Sequence, residues 1–294
     1  MFFRFLARQW IQTTASRAVA NAVGRPADAA PRDDGEKGQQ HLAARIPRCD
    51  VAVICADHVE AMGLRGLLEE VVTTRCASLL EHAGWLAGRR VIIAEGGTGK
   101  EQAATATGDI IQMYKPRWVI ASGFAVALVA GLEHEHLLMA DPVMDPEGTR
   151  LELGTRWDQQ AIKKQEELHL GPLLSQYKLV YTPVEREALA GLHGAVAVDI
   201  ESMAIARVCS QQQIPCMVVR VITETLDEEI PAEVTNMIKQ NTTAGKLGAF
   251  TGAIFRRFSS IKDMWRLKDR AFRASDRLGR YLVSVIEQLP VADD

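Results

Sequence analysis

The chain has 294 residues, a formal net charge of −3, 24% charged residues and 47% hydrophobic ones. That balance suits a core-forming globular protein and leaves no general pull toward nucleic acid. The sequence holds no run of about 18 apolar residues, so nothing in it reads as a helix crossing a membrane.

The first stretch, Met1–Ala27, carries Arg4, Arg8, Arg17 and Arg25 with no acid before Asp28, and Phe2, Phe3, Phe5, Leu6, Trp10 and Ile11 supply an apolar side. It reads as a transit peptide or as an amphipathic helix lying on a membrane. The polar Arg25–Gln40 stretch follows as a flexible linker. The expected organisation is therefore a basic segment with its linker over 1–46, then one folded unit over 47–294.

Within that unit strand and helix signals alternate. Val51–Cys55 is a predicted strand, and Val59–Glu70 a helix burying Met62, Leu64, Leu67 and Leu68. Val91–Ala94 is a strand that runs into the turn Glu95-Gly96-Gly97-Thr98-Gly99-Lys100, and a helix over Glu101–Tyr114 ends at Pro116. That turn is not a Walker loop, because Lys100 is followed by Glu101 where a hydroxyl should hold the metal, and it is not a dinucleotide fingerprint. Gly97 and Gly99 would let backbone N–H groups face a ligand at a helix N-terminus, or merely shape a tight turn. Trp118–Ala121 is the next strand, with Ser122-Gly123-Phe124-Ala125 opening a turn; Leu137–Ala140 and Lys178–Tyr181 are further strands.

The most informative stretch is Gly194–Pro231. A strand over Ala195–Asp199, a helix over Glu201–Gln212 and an apolar strand over Cys216–Ile222 read as a parallel βαβ unit. Ligands in such sheets sit beyond the carboxyl ends of the strands, where this unit puts Asp199, Glu201, Glu224 and Asp227. Arg220 lies inside an apolar strand and needs a partner. From Ala232 onward the chain reads as helical. The predicted class is α/β, three αβα layers around a largely parallel mixed sheet.

Cys49, Cys55, Cys76, Cys209 and Cys216 form no C-x-x-C pair and no metal-ligand spacing. Cys55 and Cys216 lie in predicted strands, where a free thiol behaves as a small hydrophobe; this points to a reducing compartment, hence a cytoplasmic location, and no metal site is expected.

AVDIESMAIARV followed by VVRVITETLDEE resembles the nucleoside phosphorylase and nucleosidase superfamily, which includes the methylthioadenosine/S-adenosylhomocysteine nucleosidases. The resemblance covers about Asp50–Glu233 and takes in VAVICADHVEA, GGTGKEQAA and SGFAVAL. TPVEREALAGLHGAVAVDIES is similar to the branch found with hopanoid biosynthesis, which handles adenosyl lipids. The resemblance implies a cofactor-independent enzyme, a homo-oligomer, acting on a small-molecule nucleoside, with phosphate as co-substrate if it is a phosphorylase. By position it makes Glu60 the base that activates the attacking water, Glu201 the ligand of the ribose hydroxyls and Glu224 the acid that protonates the purine. Asp199, Ile200, Arg220, Gly97, Gly99, Gly123, Phe124 and Tyr177 would line the substrate.

Several positions depart from the family pattern. Glu224 stands for an aspartate, Val126 for a glycine in the Gly123–Leu128 run, and Tyr177 for an acid. No arginine stands beside Asp57 and His58 or in Val119–Ala121, where phosphorylases hold phosphate, so hydrolysis is expected over phosphorolysis. A non-catalytic nucleoside-binding paralogue is the contrasting reading.

Toward the C-terminus Arg256, Arg257, Lys262, Arg266, Lys268, Arg270, Arg273, Arg277 and Arg280 outnumber Asp263, Asp269 and Asp276. Ile254, Phe258, Ile261 and Trp265 fall on one helical face. This reads as a peripheral membrane contact or as a helix docked on a neighbouring subunit, with Leu278, Leu282 and Val285 packed on the sheet.

Overall fold

The computed structural model describes residues 49–76, 79–154, 167–228 and 261–290. The N-terminal basic segment, its linker and the residues 254–260 of the predicted basic face lie outside them. Ten strands and five helices occur among the described residues: β1 (Val51–Cys55), α1 (His58–Arg65), β2 (Glu69–Arg75), β3 (Leu80–Leu86), β4 (Arg89–Glu95), α2 (Lys100–Tyr114), β5 (Trp118–Ala127), β6 (Leu137–Met144), β7 (Arg150–Leu151), β8 (Leu168–Ser175), α3 (Pro183–His193), β9 (Ala197–Asp199), α4 (Ser202–Gln211), β10 (Cys216–Glu224) and α5 (Ile261–Gln288).

Period-two alternation along the central strands separates two helix layers. Val51, Val53 and Cys55 of β1 and Val91 and Ile93 of β4 face α1 and α5, packing with Val59, Leu64, Leu278, Leu282 and Ile286. Ala52 and Ile54, with Ile92 and Ala94, face α2 and α4, packing with Ala103, Ile110, Met203 and Cys209. The expected burial of Leu278, Leu282 and Val285 is met. Each such side chain removed from water contributes about 1.5–3 kcal/mol, which makes the sheet the molecule's fixed reference.

The strand order is β10-β6-β8-β9-β5-β1-β4-β3-β2, with β7 on β6 and a further pairing of β10 on β5. Because β5 pairs with both β9 and β10, the strands β5, β10, β6, β8 and β9 close a ring beside the open sheet. Ten-residue β5 serves both: Trp118–Ala121 pairs with β1, Val119–Val126 with β10, and Val126 and Ala127 with β9. The sheet is mixed, as expected, with β1 parallel to β4 and β5, and β10 antiparallel to β6.

The register corrects several expectations. β9 runs antiparallel to β5 whereas β10 runs parallel to it, so the two strands of the Gly194–Pro231 stretch are antiparallel and not a parallel βαβ unit. A short helix can join strands of either sense when a third strand lies between them. Ser122–Ala125 continues β5 rather than turning, because Gly123 stands opposite Arg220 in the ladder with β10. Lys178–Tyr181 is not a strand; the neighbouring strand is Leu168–Ser175. Helix α1 stops at Arg65, short of the expected Glu70, and β2 begins at Glu69.

Candidate active site

The turn after β1 is built around two acids. Asp57 caps α1, its Oδ1 accepting the N–H groups of Val59 at 2.9 Å and Glu60 at 3.2 Å. Glu60, 2% exposed, then turns its carboxylate away from the helix, and Oε2 accepts the Ala56 N–H at 2.8 Å while Oε1 accepts the Phe124 N–H at 2.8 Å. Both carboxylate oxygens are therefore aimed by backbone, one of them from β5.

The glycine turn lies against the same place. Gly97 N–H donates to the Cys55 carbonyl at 3.3 Å, and the Thr98 hydroxyl to the Ala56 carbonyl at 2.7 Å. A side chain at Gly97 would press on the Cα of Ala103 at 3.3 Å, which explains its glycine; Gly99 has φ of 86°. Gly99 begins the fifteen-residue helix α2 with no side-chain cap of its own. Its N–H donates instead to Glu201 Oε1 at 3.0 Å, so a buried carboxylate from the turn after β9 sits at the positive end of that helix.

Asp199 and Arg220 have a different character. Arg220 Nη2 lies 2.7 Å from Asp199 Oδ2, and the two side chains are 1% and 0% exposed. The Ser202 hydroxyl donates to Asp199 at 2.7 Å and accepts from Arg220 at 2.8 Å, closing a triangle. The buried arginine has the partner its place in an apolar strand demanded, and that partner is the neighbouring acid of the motif.

Glu224 ends β10 at a bulge opposite Val126, 1% exposed, with the Thr223 hydroxyl donating to its Oε2 at 2.8 Å. The turn that follows is pinned by Arg186 of α3, fully buried, whose Nη1 donates to the carbonyl oxygens of Thr225, Leu226 and Glu228. Burial lowers the Arg186 pKa against the pull of Glu224 and Glu228.

The last residues of β5 thus gather the strand ends. Phe124 holds Glu60, Val126 pairs with Glu224, and Val126 also pairs with Val198, next to Asp199. Gly123 lies within β5, and Ile200 is half-buried between Asp199 and Glu201. Tyr177 stands further out, 46% exposed; its hydroxyl donates to Glu147, which pushes its pKa up to about 12, and its ring lies 4.1 Å under the Lys100 ammonium. That contact ties Tyr177 to the glycine turn.

Three groups escape a reading of the sequence. Ser202 and Thr223 orient carboxylates but are ordinary polar residues in sequence. A hydrogen-bonded chain centred on buried His82 and Glu95 also runs from Thr73 Oγ1 to His82 Nδ1 at 2.8 Å, from His82 Nε2 to Glu95 Oε1 at 2.9 Å, and from Glu95 Oε2 to His58 Nδ1 at 3.2 Å. Burial alone would raise the Glu95 pKa, but the hydrogen bond and charge of His58, with His82 and Arg65, hold it below its ordinary value. Arg65 is brought to the β1 turn in this way, 3.8 Å from Glu95.

On α5 the basic residues with described side chains lie against acids: Arg270 at 2.6 Å from Glu228, Arg273 at 3.3 Å from Glu135, Arg277 at 2.5 Å from Glu167, and Arg280 on Asp276. No helix among the described residues is long and apolar enough to cross a membrane.

Chemically, three buried carboxylates at converging strand ends, each fixed by a backbone or hydroxyl donor, can take a proton, hold a diol and give a proton. The model of the phosphorylase superfamily matches residues 50–251. A 5'-methylthioadenosine/S-adenosylhomocysteine nucleosidase of Staphylococcus aureus is 25% identical over 200 residues, spanning 61% of this chain and 88% of that protein. Among solved structures, the 5'-methylthioadenosine/S-adenosylhomocysteine nucleosidase of Neisseria meningitidis in complex with methylthio-immucillin-A aligns with a TM-score of 0.60 at 20% identity, over 82% of this chain and 99% of that one. Futalosine hydrolase of Helicobacter pylori aligns with a TM-score of 0.61 at 19% identity, over 85% and 100%.

Proposed function

The chain belongs to the phosphorylase superfamily, and we propose that within it the protein hydrolyses the N-glycosidic bond of a purine nucleoside, an adenosyl one, releasing adenine. The observation that carries this reading is Glu60, a buried carboxylate aimed by the N–H groups of Ala56 and Phe124 at 2.8 Å each. In the proposed reaction Glu60 takes a proton from water as the water oxygen bonds to C1′ and the C1′–N9 bond breaks. The electron pair leaves with the purine, and Glu224 gives its proton to N7. The ribose becomes oxocarbenium-like, and Glu201, held at 3.0 Å by Gly99, accepts the ribose hydroxyls and favours the developing positive charge. No cofactor enters the balance.

Water is favoured over phosphate by the charges of the β1 turn. Asp57 and Glu60 occupy it, and Arg65, the arginine the fold brings near, faces Glu95. Asp199 and Arg220 carry a supporting role in this scheme, since their charges are matched to each other.

The test is to incubate the purified protein with adenosine, methylthioadenosine and S-adenosylhomocysteine, with and without phosphate, and to follow free adenine by chromatography. Adenine released without phosphate is the expected result. Release only with phosphate overturns the choice of water, and no adenine from any of the three leaves a nucleoside-binding protein.

A further inference from the structure

Helix α5 lies beyond the stretch that the superfamily model matches, 50–251. It nevertheless meets, backbone to backbone, the helix that carries Glu60. A Cβ on Gly63 would overlap the Ser275 carbonyl oxygen, and a Cβ on Gly279 would stand 2.5 Å from both the Gly63 carbonyl carbon and the Leu64 nitrogen. Two glycines, one on each helix, therefore permit an approach that any side chain would prevent. At this contact Ser275 is fully buried, and its hydroxyl oxygen accepts the Gly63 N–H at 2.9 Å and lies 3.5 Å from the Glu60 carbonyl oxygen.

Helix α1 has eight residues, too few to hold an orientation by itself. Asp57 fixes its first turn, and what fixes the rest must come from its packing. Glu60 lies between the Asp57 cap and Gly63, and its Oε1 must meet an N–H that belongs to β5, not to its own helix. A small rotation of α1 about its axis would carry that oxygen off Phe124.

We infer that Ser275 is a positioning residue for Glu60: delivered through the Gly63–Gly279 contact, its hydroxyl sets the rotation of α1 and so the aim of the carboxylate. The inference rests on the proposed role of Glu60 where turnover is concerned; the geometry it asserts does not.

The experiment compares Ser275→Ala with Tyr281→Phe, which removes from the same helix a hydroxyl lying 2.9 Å from the Met139 sulfur of β6. Amide exchange read by NMR at Gly63, Ala56 and Phe124 is set beside kcat and KM for the adenosyl nucleoside that the intact chain cleaves. In Ser275→Ala exchange at the three amides should rise about tenfold, and kcat should fall about tenfold with KM within about twofold, as a misaimed base requires. Tyr281→Phe should lower the Tm and leave kcat and the three amides as they were. Unchanged exchange at Ala56 and Phe124 in Ser275→Ala overturns the inference. So does a fall in kcat that Tyr281→Phe matches, since it would show only a loss of stability. Should Ser275→Ala fail to fold, Ser275→Cys, which keeps a weak acceptor, carries the same measurements with the same outcomes. A parent chain that cleaves nothing overturns the proposed reaction, and the two amides then decide the brace by themselves.

Discussion

In the turn after β1, the first acid, Asp57, serves the helix it starts, and the second, Glu60, reaches across to an N–H of β5. In the turn after β9, Asp199 likewise accepts the N–H of Ser202 at the start of α4, and Glu201 reaches across to the N–H of Gly99. The two turns divide labour alike, one acid inward to its own helix and one outward to the backbone of a neighbouring element. They differ in how the inward acid is neutralised. Asp199 has the Arg220 guanidinium at 2.7 Å and the Ser202 hydroxyl besides, whereas Asp57 leans on backbone N–H groups, and its buried Oδ2 has no hydrogen-bond partner among the described residues. A carboxylate matched to a fixed cation is tied to the fold.

The largest effect expected from breaking this comparison is at Arg220. Arg220→Met leaves Asp199 buried beside Ser202 without its cation, which costs on the order of 3–5 kcal/mol and should lower the Tm sharply or prevent folding, read by circular dichroism. Adding Asp199→Asn to the same chain removes the orphaned charge and should recover most of that loss. A double variant no more stable than the single one would mean that the pair is not the buried structural unit its geometry describes.

Next in size is Glu201→Gln. The amide keeps an oxygen for Gly99 and is nearly isosteric, so the Tm should stay within a few degrees. On the proposed reaction the ribose diol loses its anionic acceptor, and kcat/KM should fall on the order of 100-fold. Loss of folding in this variant would place Glu201 with Asp199, on the structural side of the comparison.

The outward acids are legible in the sequence and the scaffold around them only partly so, for reasons that particular residues make plain. Cys216–Ile222 and Val51–Cys55 are apolar throughout because both faces of those strands are covered, and such runs announce themselves; the lone exception is Arg220, a charge whose partner the motif itself holds. The β2–β3 hairpin leaves no such trace. β2 is exposed along all seven residues, so its sequence has no buried period to read. β3 turns Glu81 and His82 inward, where Tyr114 and Glu95 satisfy them, so the polar residues of the strand are among those it buries. The antiparallel sense of β9 and β10 is also hidden, because it depends on β5 lying between them, and strand partnership across sixty or more residues is not a local property. Tyr177 reads in sequence as a substrate contact, and its hydroxyl is engaged with Glu147 on the exposed side of the glycine turn.

The smallest effect is expected at Asp57, and it separates capping from charge. Asp57→Asn keeps a side-chain oxygen for the N–H groups of Val59 and Glu60, and asparagine caps helices about as well as aspartate. What it removes is a negative charge at the positive end of α1, worth about 0.3–1 kcal/mol, though the short helix makes the lower value the better expectation. The Tm should therefore move by no more than a few degrees, whereas Asp57→Ala, which deletes the cap, should cost about 1 kcal/mol. A thermal melt of the two variants decides the matter. Should Asp57→Asn prove as damaging as Arg220→Met, the fold depends on the charge of Asp57 as heavily as on that of Asp199, and the contrast between the two turns fails.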